Sequence, residues 1–326
     1  MKSVLNFLKN WTLPSAILGG AALYFLFAAI PAIDGFCSTA SHVFDIVLPW
    51  FLFVILFTTF LKIDYTQLRL EKWHFWLSFT QIFMVLTMVG CVLYFNINGN
   101  DLVLMECVIA CMIGPCAAAS AVVTAKLGGS LEAMTTYTFV SNVITAIMIP
   151  LCFPLIDQNV VMDFGSSFLM IMSKVCMILV VPMLLAYVAK RLFPKFQQWV
   201  AAQTDLSFYL WGCSLSIVTG ITFRNIMNSH APLSLLGTIA VVSFVLCVIQ
   251  FSVGRNICHF FGRTVEGGQA LGQKNTAFAI WVSGAYLHPL AAVGPGCYII
   301  WQNAINSLEL YHHTKQKKPQ AERLEE

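Results

Sequence analysis

The chain has 326 residues, of which 58% are hydrophobic and 10% charged, with a formal charge of +3 and a mean hydropathy of +0.77. Soluble domains carry about 25% charged residues, and outer-membrane barrels show short alternating segments, so neither class fits. The apolar residues fall instead into blocks of roughly 20, the length of a helix crossing a hydrocarbon core about 30 Å thick.

Lys2 and Lys9 lead into an apolar run as long as a span, with no small-residue cleavage site, so it is read as a first helix and not a leader. Ten spans are expected: Pro14–Ile33, Phe44–Leu61, Trp73–Phe95, Leu102–Ala125, Leu131–Leu155, Phe168–Leu192, Leu206–Phe223, Leu233–Arg255, Val265–Tyr286 and Pro289–Leu310. A polar, solvated tail from Tyr311 to Glu326 follows.

The fourth span is broken at Gly114-Pro115, because proline removes a backbone donor and disfavours helix at the residue before it. Small residues and hydroxyls follow, including Ser120 and Thr124. In the fifth span Thr138, Ser141 and Asn142, with Thr145, recur at helical spacing as one polar stripe. Hydroxyls in such helices often bond their own backbone, but Asn142 does so less comfortably, so the stripe is expected to face the broken span.

The ninth span is interrupted by four consecutive polar residues, Gln273, Lys274, Asn275 and Thr276. A lysine at mid-bilayer costs a few kcal/mol or more, so Lys274 is expected to face a cavity or a partner. Lys174, near the start of its span, is read as a snorkelling residue. The last span carries Gln302, Asn303 and Asn306 beside Trp301. The cysteines, Cys107 and Cys111 among them, make no CxxC pair and are read as packing residues. No metal site or cofactor is expected, and no basic-aromatic patch suggests nucleic acid.

Lys and Arg gather at one set of loop positions, the opposite loops holding only Arg224. Positive charge stays inside, so both termini are expected to be cytoplasmic in a multi-pass protein of the cell (inner) membrane. Ten spans divide into residues 1–160 and 161–310, with the tail 311–326 outside. Five-helix halves must enter from opposite sides, which makes an all-α fold of two inverted repeats. The interrupted span is the fourth of each half, and paired breaks of this kind mark transport sites.

The residues from Ala119-Ser120 to Pro150 resemble the first crossing region of the bile acid:sodium symporter family. Gly272-Gln273-Lys274-Asn275 resembles its Gly-x-Gln-Asn, and Trp301-Gln302-Asn303 its Trp-His-Asn. Phe57-Thr58-Thr59-Phe60-Leu61-Lys62 stands where that family closes its second span. The resemblance implies a panel and a core domain, with spans four and nine unwound and crossing. It also implies a small or amphipathic organic anion as substrate. Asn275, Asn303, Ser120 and Thr124 are the substrate contacts it implies, with Gln273 and Thr276 beside them. Of the family's sodium ligands, Ser120, Thr138 and Gln81 are kept, near Ser141 and Asn142. The matched glutamate position reads Ala270, the glutamine Lys274, the asparagine after Ser120 reads Ala121, and one hydroxyl reads Met134. Sodium needs oxygen ligands and preferably a negative one, so sodium-independent transport is expected. Lys274 then either fills the space of the lost ion or exchanges protons, since burial disfavours a charged ammonium.

Three rival classes would leave different marks. A cation/proton antiporter of related crossed-helix fold normally carries aspartates at the crossing, and none of this chain's acidic residues lies there. An intramembrane enzyme would need a motif such as HExxH, GxSxG or paired aspartates, which the sequence lacks. A receptor or channel would differ in showing no saturable counter-transport.

Overall fold

In a computed structural model, the described residues are 12–28, 34–156, 164–203, 206–228 and 231–322. They form thirteen α-helices and no named strand. Four helices are long and apolar enough to cross a membrane: α3 (Lys72–Tyr94), α6 (Leu131–Ile156), α7 (Phe164–Leu192) and α10 (Leu233–His259). Their exteriors are mostly apolar. Along α3, Phe75, Phe79, Phe83 and Leu86 are exposed, whereas Ser78 and Gln81 are buried with Val85 and Val89. Such a surface suits lipid, where polar groups must find partners inside the protein.

Helices α1 (Thr12–Ala28), α2 (Asp34–Lys62), α7 and α9 (Leu206–Asn228) pack together. The remainder, one short helix apart, gather round two broken helices. The first is α4 (Gly99–Ile113) followed by α5 (Ser120–Lys126); the second is α11 (Thr264–Gly272) followed by α12 (Thr276–Tyr286). Both lie where the sequence places its interruptions. A 3-10 turn, Pro289–Ala292, then leads into α13 (Val293–Glu322).

The hairpin of α10 and α11 is held by glycines. A Cβ on Gly267 would stand 2.2 Å from the Gly254 carbonyl oxygen and 2.4 Å from Cys258 Cβ, so the two backbones touch without side chains between them.

The elements differ from expectation at three places. The second helix begins at Asp34, ten residues before Phe44. A nine-residue helix, α8 (Pro194–Ala202), was not foreseen; it is seeded by Pro194 at its first turn and ties α2 to α7, with Gln197 donating to the Leu61 carbonyl at 3.3 Å. The polar stretch from Tyr311 continues α13 as helix to Glu322, with Tyr311 and His312 exposed. Residues 29–33, where the first span was expected to end, and 323–326 lie outside the described residues. Lys174 is exposed on α7.

Candidate functional site at the crossing

The two breaks meet. Cys116 and Lys274 form an isolated antiparallel bridge, with Ala117 N donating to Gln273 O at 2.9 Å and Asn275 N to Pro115 O at 2.8 Å. Pro115 explains the first break. The second has no proline, and its unwinding rests on Gln302 of α13. The Gln302 amide accepts from Lys274 N at 2.9 Å and donates to Lys274 O at 3.2 Å, so a side chain imitates a neighbouring strand. Buried backbone groups are thereby satisfied without helix.

A helix leaves its last carbonyls unpaired and carries partial negative charge at that end. At the end of α4 these carbonyls are met by side chains from four elements. Gln250 Nε2 donates to Cys111 O at 3.5 Å, and the Lys274 ammonium to Met112 O at 3.0 Å. Thr145 Oγ1 donates to Ile113 O at 3.0 Å. Gln81 Nε2 spans Met112 O and Gly114 O, each at 3.3 Å. Lys274 is 1% exposed, and the negative end of α4 offsets part of the cost of burying its charge.

Beside this lies a second group of site residues. Ser141 Oγ accepts from Cys116 N at 2.9 Å, and Ser120 Oγ stands 2.9 Å from Cys116 Sγ. Thr138 Oγ1 donates to Met134 O at 3.0 Å within its own helix. Cys116, Ala121, Met134 and Ala270 are all buried in one apolar cluster with Trp73 and Tyr137. Three of the positions where the resemblance places ion ligands, Ala270, Ala121 and Met134, therefore hold methyl groups and a thioether.

The remaining candidates divide. Thr124 Oγ1, Gln273 Oε1 and Asn142 Oδ1 are buried without a hydrogen-bond partner, while Asn142 Nδ2 turns back to Thr138 O at 2.7 Å. Thr276 is buried at the start of α12, and Asn275 caps that helix by accepting from Phe278 N at 3.2 Å. Asn303 donates to Ile299 O at 2.7 Å on its own helix, and no hydrogen bond ties it to the crossing. Its neighbour Gln302 makes that connection instead. The site also draws on residues not singled out by sequence. Tyr298 Oη donates to Gly272 O at 2.8 Å and accepts from Gln250 Nε2 at 3.0 Å. Gln250 had a signal, as a single amide in an apolar span; Cys116 had none.

The sequence model of the sodium bile acid symporter family matches residues 49–253. The chain belongs to this family. Its members are transporters, not enzymes, so this is a multi-pass membrane transporter. Among curated proteins, none matches the chain. The family match takes in α3 to α6, with the first break, and ends in α10, before the second break and Lys274.

Proposed function

We propose that this family member carries a small or amphipathic organic anion by alternating access without sodium at the crossing, Lys274 standing in for the ion. One observation carries the reading. Every carbonyl from Cys111 to Gly114 already accepts from a side-chain donor, among them the Lys274 ammonium. Sodium binds through oxygen lone pairs and favours a carboxylate; here each of these carbonyls already holds a side-chain donor, and Ala270, Ala121 and Met134 offer no oxygen ligand. A tethered cation at the end of α4 keeps the charge that a bound ion would supply.

In this reading the ten spans form two inverted five-helix repeats, residues 1–160 and 161–310. The group containing α1, α2, α7 and α9 is the panel, and the crossed helices lie in the core. Both termini face the cytoplasm across the cell (inner) membrane, in keeping with where Lys and Arg collect. The substrate meets Asn275, Asn303, Ser120, Thr124, Gln273 and Thr276. The unpartnered oxygens of Thr124 and Gln273 support a polar contact there, because buried polar groups without partners are costly unless something completes them. Thr138, Ser141, Asn142 and Gln81 hold the ion-replacing side of the site.

Uptake of organic anions into proteoliposomes by the wild type, Lys274→Ala and Lys274→Arg, measured across pH, tests the role of Lys274. A role as fixed charge predicts that Lys274→Ala abolishes uptake while arginine retains part of it at unchanged pH dependence. A role as proton carrier predicts that arginine removes the pH dependence. Uptake by Lys274→Ala at the wild-type rate and pH profile would remove both.

A further inference from the structure

A cavity of about 430 Å3, open to the surface, lies apart from the crossing, where the ends of α10 and α11 meet the middle of α13 and the turn after α5. Sites for small molecules span roughly 300–1,000 Å3. Thr264, at its rim, stands roughly 13 Å along α11 from Gln273. Leu127, Val265, Ile305 and Leu308 line one part of it.

The polar part is asymmetric in a way that selects charge. Glu309 is its acid: Oε2 accepts from Gln269 Nε2 at 2.9 Å, and Oε1 faces Arg255 as an ion pair and makes no hydrogen bond. The bases keep capacity to spare. A guanidinium carries five N–H donors, and Arg255 pairs with one carboxylate while lying over the Phe251 ring. His312 and His313 line the same cavity, and His313 Nε2 is buried with no hydrogen-bond partner. Gly128, at φ +85°, lets the loop close against the His313 ring; a Cβ there would sit 3.5 Å from Cε1. Phe260 and Tyr311, 85% and 62% exposed, flank this end of the protein as aromatic residues do at a membrane surface.

Spare donors on one side and hydrocarbon on the other fit one kind of molecule. We propose that this cavity binds an amphipathic anion, its carboxylate or phosphate head on Arg255 and the two histidines and its apolar body along Leu127, Val265, Ile305 and Leu308. The site is distinct from the crossing and does not rest on the role given to Lys274. The same chemistry is offered by a soluble amphiphile and by an anionic phospholipid of the adjoining leaflet.

Two probes separate these sources. Decanoate is titrated into the full chain in phosphatidylcholine nanodiscs while its melting is followed, and native mass spectrometry reads the phosphatidylglycerol retained after purification. The wild type is expected to bind at least one of them saturably. Saturation by decanoate alone assigns the site to a soluble anion; retained phosphatidylglycerol assigns it to lipid. Arg255→Gln should weaken binding about tenfold or more, the loss of one charged hydrogen bond. Leu308→Glu changes an exposed position, sets a carboxylate at the mouth and should do the same without touching the Arg255–Glu309 pair. Equal binding by wild type and Leu308→Glu, or no binding of either probe, overturns the proposal.

Discussion

Replacing Gln302 with leucine takes away the side chain that holds the Lys274 peptide at both its N–H and its C=O. Gln302 is 4% exposed, and leucine fills a similar volume, so the change acts mainly through hydrogen bonding. The Lys274 carbonyl keeps one partner, accepting from Thr276 N at 2.9 Å. Its N–H keeps none. A buried donor left unpaired costs about 1–3 kcal/mol, and the second lost bond about 0.5–1.5 more, giving roughly 2–4 kcal/mol. At about 2–4 °C per kcal/mol for a large domain, the melting temperature should fall by roughly 4–16 °C. Scanning fluorimetry of the purified protein reads this directly. Asn303→Leu is the internal comparison: its amide bonds only Ile299 O on its own helix, so its stability should change by about 0.5 kcal/mol or less. Its proposed role with substrate should appear as a raised KM. Coincident melting of Gln302→Leu and wild type, or a larger loss for Asn303→Leu, would refute this account of the second break.

Gly267→Ala forces a Cβ to within 2.2 Å of the Gly254 carbonyl, a backbone atom that cannot turn aside, so well-behaved protein should be lost or melt far earlier in size-exclusion and thermal assays. Arg263→Met removes the group joining Glu71, at 3.0 Å, to Glu266, whose side chain is 5% exposed. The Ser130 N–H at 2.8 Å still serves Glu266, so a loss of about 1–3 kcal/mol is expected in denaturant or thermal unfolding. Ala270→Glu combined with Lys274→Gln restores a carboxylate and an amide oxygen to the crossing. Added sodium should then raise its melting temperature relative to potassium, an effect expected to be absent in the wild type.

Much of the architecture was legible because the signals were local. Pro115 after Gly114 broke α4 in the sequence as it does in space, and four polar residues in a row marked the end of α11. The crossing could not be read from spacing, since it is made by backbone atoms of residues some 160 positions apart: Lys274 lies against the Met112 carbonyl, and no side chain identifies that partner. Which residue of α13 holds the second break is a matter of helical phase, with Asn303 and Gln302 as neighbours. One position apart, they stand about 100° apart round α13, and only Gln302 turns to the Lys274 peptide. Helix α8 is shorter than a span and carries Lys195 among its aromatics, so it leaves no membrane-span signal in the sequence. The stretch after Leu310 is polar in composition, yet His313 packs against Gly128.

Uptake of an organic-anion substrate into wild-type proteoliposomes, with all sodium replaced by choline on both sides, tests the central claim most directly. Lys274 in the place of the ion predicts the same initial rate in both media and no accumulation driven by an imposed sodium gradient. A rate that vanishes without sodium, or accumulation that follows its gradient, would contradict it.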